Sequence, residues 1–98
     1  MSETIRWLEI ALDDMEQAVE YMAQHNMAAA RRLANRIWNS VRMLEHNPEM
    51  GRPGRISGTR ELVVTGTSYI VPYRIRGDGI QILRVLHGAR KEAFERIS

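Results

Sequence analysis

The hydrophobic period of this chain changes once, and that change constrains the fold more than any other feature. Between residues 12 and 44 the apolar side chains recur every three or four positions; from residue 60 onward they recur every two. A helical half followed by a strand half buries one face of each against the other. The expectation is a two-layer α+β domain. With 98 residues there is material for one core and one domain, spanning 1–98.

Residues 4–10, Thr-Ile-Arg-Trp-Leu-Glu-Ile, alternate loosely and read as a short strand. Leu12, Met15, Val19 and Met22 then mark the buried stripe of a first helix. Asp13, Asp14 and Glu16 fall in its expected first turn, where carboxylates oppose the positive helix end. His25-Asn26 is the break. Ala30, Leu33, Ala34, Ile37, Val41 and Leu44 form the stripe of a second helix. Asn47-Pro48 ends it, because the residue before proline avoids the α region. So short a break makes the two helices an antiparallel αα-hairpin. Trp7 and Trp38 are expected in the core.

Residues 47–59 hold Pro48, Gly51, Pro53, Gly54 and Gly58 and read as a loop. Strands follow at about 60–65, 69–76 and 80–87. Gly66-Thr67-Ser68 and Gly77-Asp78-Gly79 are the hairpin connections. The N-terminal strand and αα-hairpin are thus expected to pack on an antiparallel meander, leaving its other face partly open. Pro72 has no N–H to give to a ladder, so it requires a bulge or an outward-facing nitrogen. Residues 91–96 have the character of one or two helical turns.

Charge is polarised along the chain. Residues 1–30 carry six carboxylates against Arg6 alone, a balance of −5. Residues 52–91 carry seven arginines and Lys91 against Glu61 and Asp78, a balance of +6. Arginine presents a flat fork that binds phosphate or carboxylate in bidentate fashion. The second half therefore reads as an anion-binding surface for nucleic acid or an acidic protein. Arg52, Arg55, Arg74, Arg76, Arg90 and Lys91 are its candidate ligands. Tyr69 and Tyr73 share a strand face and either stack on bases or pack in the core. Arg60, Arg74 and Arg84 come from three successive strands and are expected to line up across the sheet. His87, at the end of the last strand, is the only histidine of this half and, by residue type, its candidate acid or base.

Other chemistries find no support. The chain has no cysteine, which excludes a disulfide framework, a cysteine zinc site and a thiol nucleophile and suits the cytoplasm. His25, His46 and His87 have no metal-ligand spacing, so no metal and no cofactor are expected. No glycine-rich phosphate loop opens a helix. No signal peptide or membrane span is visible.

Three segments resemble a known family. They are Leu44-Glu45-His46-Asn47-Pro48-Glu49-Met50-Gly51-Arg52-Pro53; Thr59-Arg60-Glu61-Leu62-Val63-Val64 leading into Tyr69-Ile70-Val71-Pro72-Tyr73-Arg74-Ile75; and Ile82-Leu83-Arg84-Val85-Leu86-His87-Gly88-Ala89-Arg90. Their order and spacing, behind a helical hairpin, resemble toxins of bacterial type II toxin–antitoxin modules, the RelE/ParE superfamily, with ParE the closer flavour. The resemblance implies growth inhibition, plasmid stabilization and neutralisation by an acidic antitoxin, ParD-like or RelB-like. ParE-like members act on DNA gyrase; RelE-like members cut mRNA on the ribosome. The first implies a binding protein without an active site. The second implies an endonuclease with Arg60 and Arg84 on the scissile phosphate and His87 as acid or base. A third outcome is an inactive member that only binds antitoxin. RelE-like members carry lysines before the second strand and a C-terminal tyrosine. Here residues 47–60 contain no lysine and residues 88–98 no tyrosine.

Overall fold

A computed structural model describes residues 4–77 and 79–88. Strand β1 (Thr4–Trp7) leads into helix α1 (Glu9–Ala23), and Asn26 sets the turn to α2 (Met27–Arg42). The Asn26 side chain accepts the Ala29 N–H at 3.0 Å, satisfying a donor that the helix start leaves without a partner. One 3₁₀ turn, Met43–Glu45, carries the helical path toward the loop. Then come β2 (Arg52–Pro53), β3 (Arg60–Val63), β4 (Tyr69–Arg76), β5 (Gly79–Ile82) and β6 (Leu86–His87). The sheet order is β1-β5-β4-β3-β2, and β6 also pairs with β4.

One sheet face meets the helices. Ala11, Met15, Ala18, Leu33, Ile37, Val41 and Leu44 pack there on Leu62, Val64, Val71, Tyr73, Ile80, Ile82 and Val85. Full burial of an Ile- or Leu-sized side chain contributes roughly 1.5–3 kcal/mol, so this cluster is what holds the layers together. The α+β fold and the hairpin agree with the expectation.

Several details differ from it. The first strand stops at Trp7, because Leu8 begins the helical bonding through its carbonyl: it accepts from Ala11 and Leu12 at 3.0 and 3.1 Å. The helix start moves back to Glu9, so Asp13, Asp14 and Glu16 are not in the first turn and do not cap it. Leu12 is exposed, since the buried stripe runs through Ala11, Met15 and Ala18. Trp38 lies one position beyond Ile37 and is 39% exposed, its ring tilted against that of Trp7 at 4.5 Å between centroids. The segment read as pure loop contains β2, which pairs with β3.

The sheet is mixed, since β1 runs parallel to β5 with Ile5 opposite Ile80 and Trp7 opposite Ile82. The last expected strand is broken in two. Tyr73 faces Ile82 and Ile70 faces Leu86, so Val71 and Pro72 stand against three residues, Leu83, Arg84 and Val85. That is a β-bulge, at the place Pro72 requires one. The Pro72 carbonyl accepts the Leu83 N–H at 2.9 Å. Its ring nitrogen points to the same side, where the ladder is interrupted. The face away from the helices is less open than expected: Ile70, Pro72, Leu83 and Leu86 are buried there. Asp78, Arg90, Lys91 and the expected helical turns at 91–96 lie outside the described residues.

Candidate functional site

The bulge and the loop before β3 decide which arginines are available for binding. At the bulge, Asp14 of α1 accepts Arg84 Nε at 2.6 Å and Nη2 at 3.0 Å. The same carboxylate accepts the Val85 N–H at 3.0 Å. The extra residue puts Arg84 and Val85 on the helix side together. The hydrogen bond to Asp14 holds the Arg84 guanidinium pKa above its ordinary value. Arg84 is thus a bidentate tie between layers, only 17% exposed.

Next to the bulge, on the β3 side of β4, Arg60 and Tyr73 are cross-strand neighbours. Arg60 Nη1 donates to the carbonyls of Glu49 (3.2 Å) and Gly51 (2.8 Å). The Tyr73 hydroxyl donates to the Pro48 carbonyl at 2.7 Å and accepts the Gly51 N–H at 2.8 Å. A side chain on Gly51 would run into the Tyr73 ring. Burial raises the Tyr73 pKa above 10.0. Tyr73 is fully buried, which removes it from the candidate binding residues. Tyr69 packs against the same core and meets His87 edge-on, ring centroids 5.6 Å apart.

The expected row of Arg60, Arg74 and Arg84 does not form. Arg60 and Arg84 lie on the helix side, while Arg74 stands on the opposite face and donates Nε to Gln81 Oε1 at 2.7 Å. His87 and Arg60 face Tyr69 and Tyr73 respectively. At about 3.3–3.4 Å per residue, those two strand positions are ~13 Å apart. His87, Arg60 and Arg84 therefore do not converge on one phosphate.

Glu61 is 3% exposed on the face away from the helices. It accepts Arg52 Nη2 at 3.3 Å and the Arg55 backbone N–H at 2.9 Å, with Arg55 Nε at 3.6 Å. Both loop arginines are held by this carboxylate, and their side chains remain 54% and 40% exposed.

Two surfaces emerge. One is a groove of about 450 Å³ where the turn between α1 and α2 meets the β3–β4 turn. Ala18, Met22 and Leu33 contribute its apolar lining; Tyr21, Arg32, Arg36 and His87 also border it. Arg36 Nη1 donates to the Thr65 carbonyl at 3.1 Å and packs against Gly66, whose φ of +81° suits glycine. The second surface is the sheet face away from the helices, where Arg6, Gln81 and Arg74 stand directly opposite one another across β1, β5 and β4. Arg76 is two residues further along β4 on the same face. Arg6, Arg32 and Arg36 were not among the residues picked from the sequence. Only tertiary pairing brings them here, and no local signal marks them.

The comparisons with known proteins follow this geometry. The family described as "ParE toxin of type II toxin-antitoxin system, parDE" matches residues 5–92. This chain belongs to the ParE toxin family. Y4kP of Sinorhizobium fredii (strain NBRC 101917 / NGR234), a candidate toxin by name, is 43% identical over 83 residues, 85% of each chain. The toxin RelE2 of Caulobacter vibrioides is 33% identical over 84 residues, 86% of this chain and 93% of its own. Among solved structures, a chain of the chromosomal ParDE system from P. aeruginosa superposes with a TM-score of 0.79 at 26% identity, covering 88% of this chain and 96% of that one. A chain of the RelBE2 toxin–antitoxin complex from Mycobacterium tuberculosis gives 0.59 at 27%, covering 89% and 99%. This ParE-family protein is therefore a type II toxin of the RelE/ParE superfamily.

Proposed function

We propose that this toxin arrests growth by binding DNA gyrase in the cytoplasm, without cutting RNA, and that a cognate acidic antitoxin neutralises it. The supporting observation is the engagement of Arg84 by Asp14 and of Arg60 by the 48–51 loop carbonyls. A ribonuclease site needs an acid, a base and a charge stabiliser within hydrogen-bond reach of one phosphate. Here both arginines are committed to holding the fold, away from His87. The antitoxin's seat is the groove between the helical turn and the β3–β4 turn. Its apolar floor suits the buried face of an amphipathic segment, and Arg32 and Arg36 on its rim suit carboxylates on that segment's edges.

The test is a supercoiling assay with purified gyrase, DNA and toxin, and no ribosomes. The toxin inhibits supercoiling or traps cleaved DNA, and His87→Ala changes this by less than ~3-fold, far below the ~100- to 10,000-fold expected for loss of a general acid or base. Codon-specific mRNA cleavage on ribosomes with normal supercoiling would reverse the assignment. Ribosome-dependent cleavage is the second reading, favoured by one feature: His87 borders a groove that also carries Arg32 and Arg36. For the antitoxin, coexpression with the neighbouring acidic gene product should give a complex that Arg32→Glu and Arg36→Glu together weaken.

A further inference from the structure

The sheet face away from the helices holds a cationic row that the toxin's partner groove does not use. Arg6 of β1, Gln81 of β5 and Arg74 of β4 occupy one line across three strands, and Arg76 extends it along β4. Arg6 and Arg76 are exposed and Arg74 is half-buried. Among the described residues no carboxylate pairs with any of the three; the ion pairs there belong to Arg52, Arg55 and Arg84. Asp78, in the neighbouring turn, lies outside the described residues. Gln81 Oε1 takes Arg74 Nε at 2.7 Å, which fixes the stem of Arg74 and leaves its terminal nitrogens for a ligand.

We propose that this row binds the phosphodiester backbone of a nucleic acid, with Arg6, Arg74 and Arg76 as phosphate ligands and Gln81 as the residue that positions Arg74. Spacing is the first argument. Arg74 and Arg76 are two strand residues apart, ~6.6 Å, and Arg6 lies two strands from Arg74, ~9.6 Å. Flexible guanidinium arms at those separations reach successive phosphates along one strand. The second argument separates nucleic acid from an acidic peptide. A disordered peptide that folds on binding needs apolar surface to offset its ordering cost. Most exposed large apolar side chains belong to the helices, the 3₁₀ turn and the loop before β2; Ile75 of β4 faces the helix side, and Val63 of β3, on this face, stands opposite Ile70, four residues along β4 from Arg74, so Arg6, Gln81, Arg74 and Arg76 have no apolar anchor among them. A phosphate backbone needs only fixed positive charge and donors. With no aromatic residue on this face among the described positions of β1, β4 and β5, bases are not stacked and binding is tolerant of sequence. The inference does not depend on whether gyrase or the ribosome is the target.

Fluorescence anisotropy of labelled oligonucleotides with the full chain tests this, using a duplex DNA and a single-stranded RNA as separate arms across a salt series. Each of Arg6→Ala, Arg74→Ala and Arg76→Ala lowers the slope of log affinity against log salt by about 0.9 on duplex DNA or about 0.7 on single strands. For the duplex this makes the affinity loss between 50 and 200 mM salt about 3-fold smaller per substitution. Gln81→Ala weakens binding a few-fold and leaves the slope unchanged, because it removes no charge. Arg31→Ala and Arg42→Ala, on α2, are charge-matched controls and leave the slope unchanged. The arm that binds more tightly identifies DNA or RNA as the source. The proposal is overturned if the triple variant keeps the wild-type slope and affinity on both oligonucleotides. It also falls if the controls lower the slope as much, or if a glutamate-rich peptide binds more tightly than either oligonucleotide. Unchanged circular dichroism and antitoxin copurification confirm that the variants fold.

Discussion

The two sides of the central strand, at the level of Pro72, solve the same problem with the same residue types and reach different results. At the bulge, β4 loses ladder partners because Pro72 cannot donate; at the loop, β3 is flanked by only two residues of β2. In each place a carboxylate gathers arginine and a backbone N–H. Asp14 and Arg84 are 13% and 17% exposed and join residues seventy positions apart. Glu61 is as buried as a core residue, but its arginines are about half exposed and come from β2 and the loop that follows it. The first arrangement holds two layers together. The second orients a loop and leaves its cations facing solvent. An ion pair's worth follows from how much water both members have lost.

Breaking the bulge side should cost most. Asp14→Ala leaves a largely buried guanidinium and the Val85 N–H without partners, and stability should fall by about 3 kcal/mol. The midpoint of a urea titration measures it. Replacing both members, Asp14→Leu with Arg84→Met, should recover much of the loss. If the double variant is no better than the single, the pair contributes attraction beyond relief of an unpaired charge.

Tyr73→Phe on the loop side should cost about 1–2 kcal/mol, because the Gly51 N–H and the Pro48 carbonyl lose a buried partner. This change also has a pH signature. The folded-state pKa of Tyr73 is raised above 10.0, so the stability it contributes is complete below pH ~10 and is lost as pH rises through the folded value. The alkaline fall in stability should therefore be shallower in Tyr73→Phe than in the wild type. Equal alkaline slopes would show that the hydroxyl is no better shielded in the folded chain than in the unfolded one.

Glu61→Ala should have the smallest effect on stability, about 1 kcal/mol, since both guanidiniums are well solvated. Its mark should be local. Trypsin should cut after Arg55 faster than in the wild type, while the Asp14→Ala protein is cut throughout, in proportion to its global unfolding. Added salt should weaken the Glu61 arrangement more than the Asp14 one.

The helical hairpin was legible because both helices repeat their apolar residues at helical spacing, and Asn26 is a residue type that caps. The bulge was legible too, since Pro72 cannot sit in an unbroken ladder. What escaped the sequence depends on distance along the chain. Asp14 read as a helix-start carboxylate because its partner lies on the far side of the molecule. Arg60 and Arg84 read as ligands because arginine looks the same in sequence whether it faces solvent or a carbonyl. Arg6 was counted with the acidic half, and only the pairing of β1 with β5 moves it to the basic face. Trp38 reads as core by side-chain type and Leu12 by its spacing to Met15, yet each is one position off the buried stripe.

That pairing of β1 with β5 also governs when the toxin can exist. Thr4–Trp7 leave the ribosome more than seventy residues before their partners Gly79–Ile82. The helical hairpin can form early, from contacts close in sequence. The sheet cannot close until residues 79–82 have emerged, and the Asp14 tie waits for Arg84 and Val85. A truncated or still-attached chain therefore has helices without a completed core. Folding, and with it any capacity to poison the cell, is deferred until residues 79–85 are free of the ribosome.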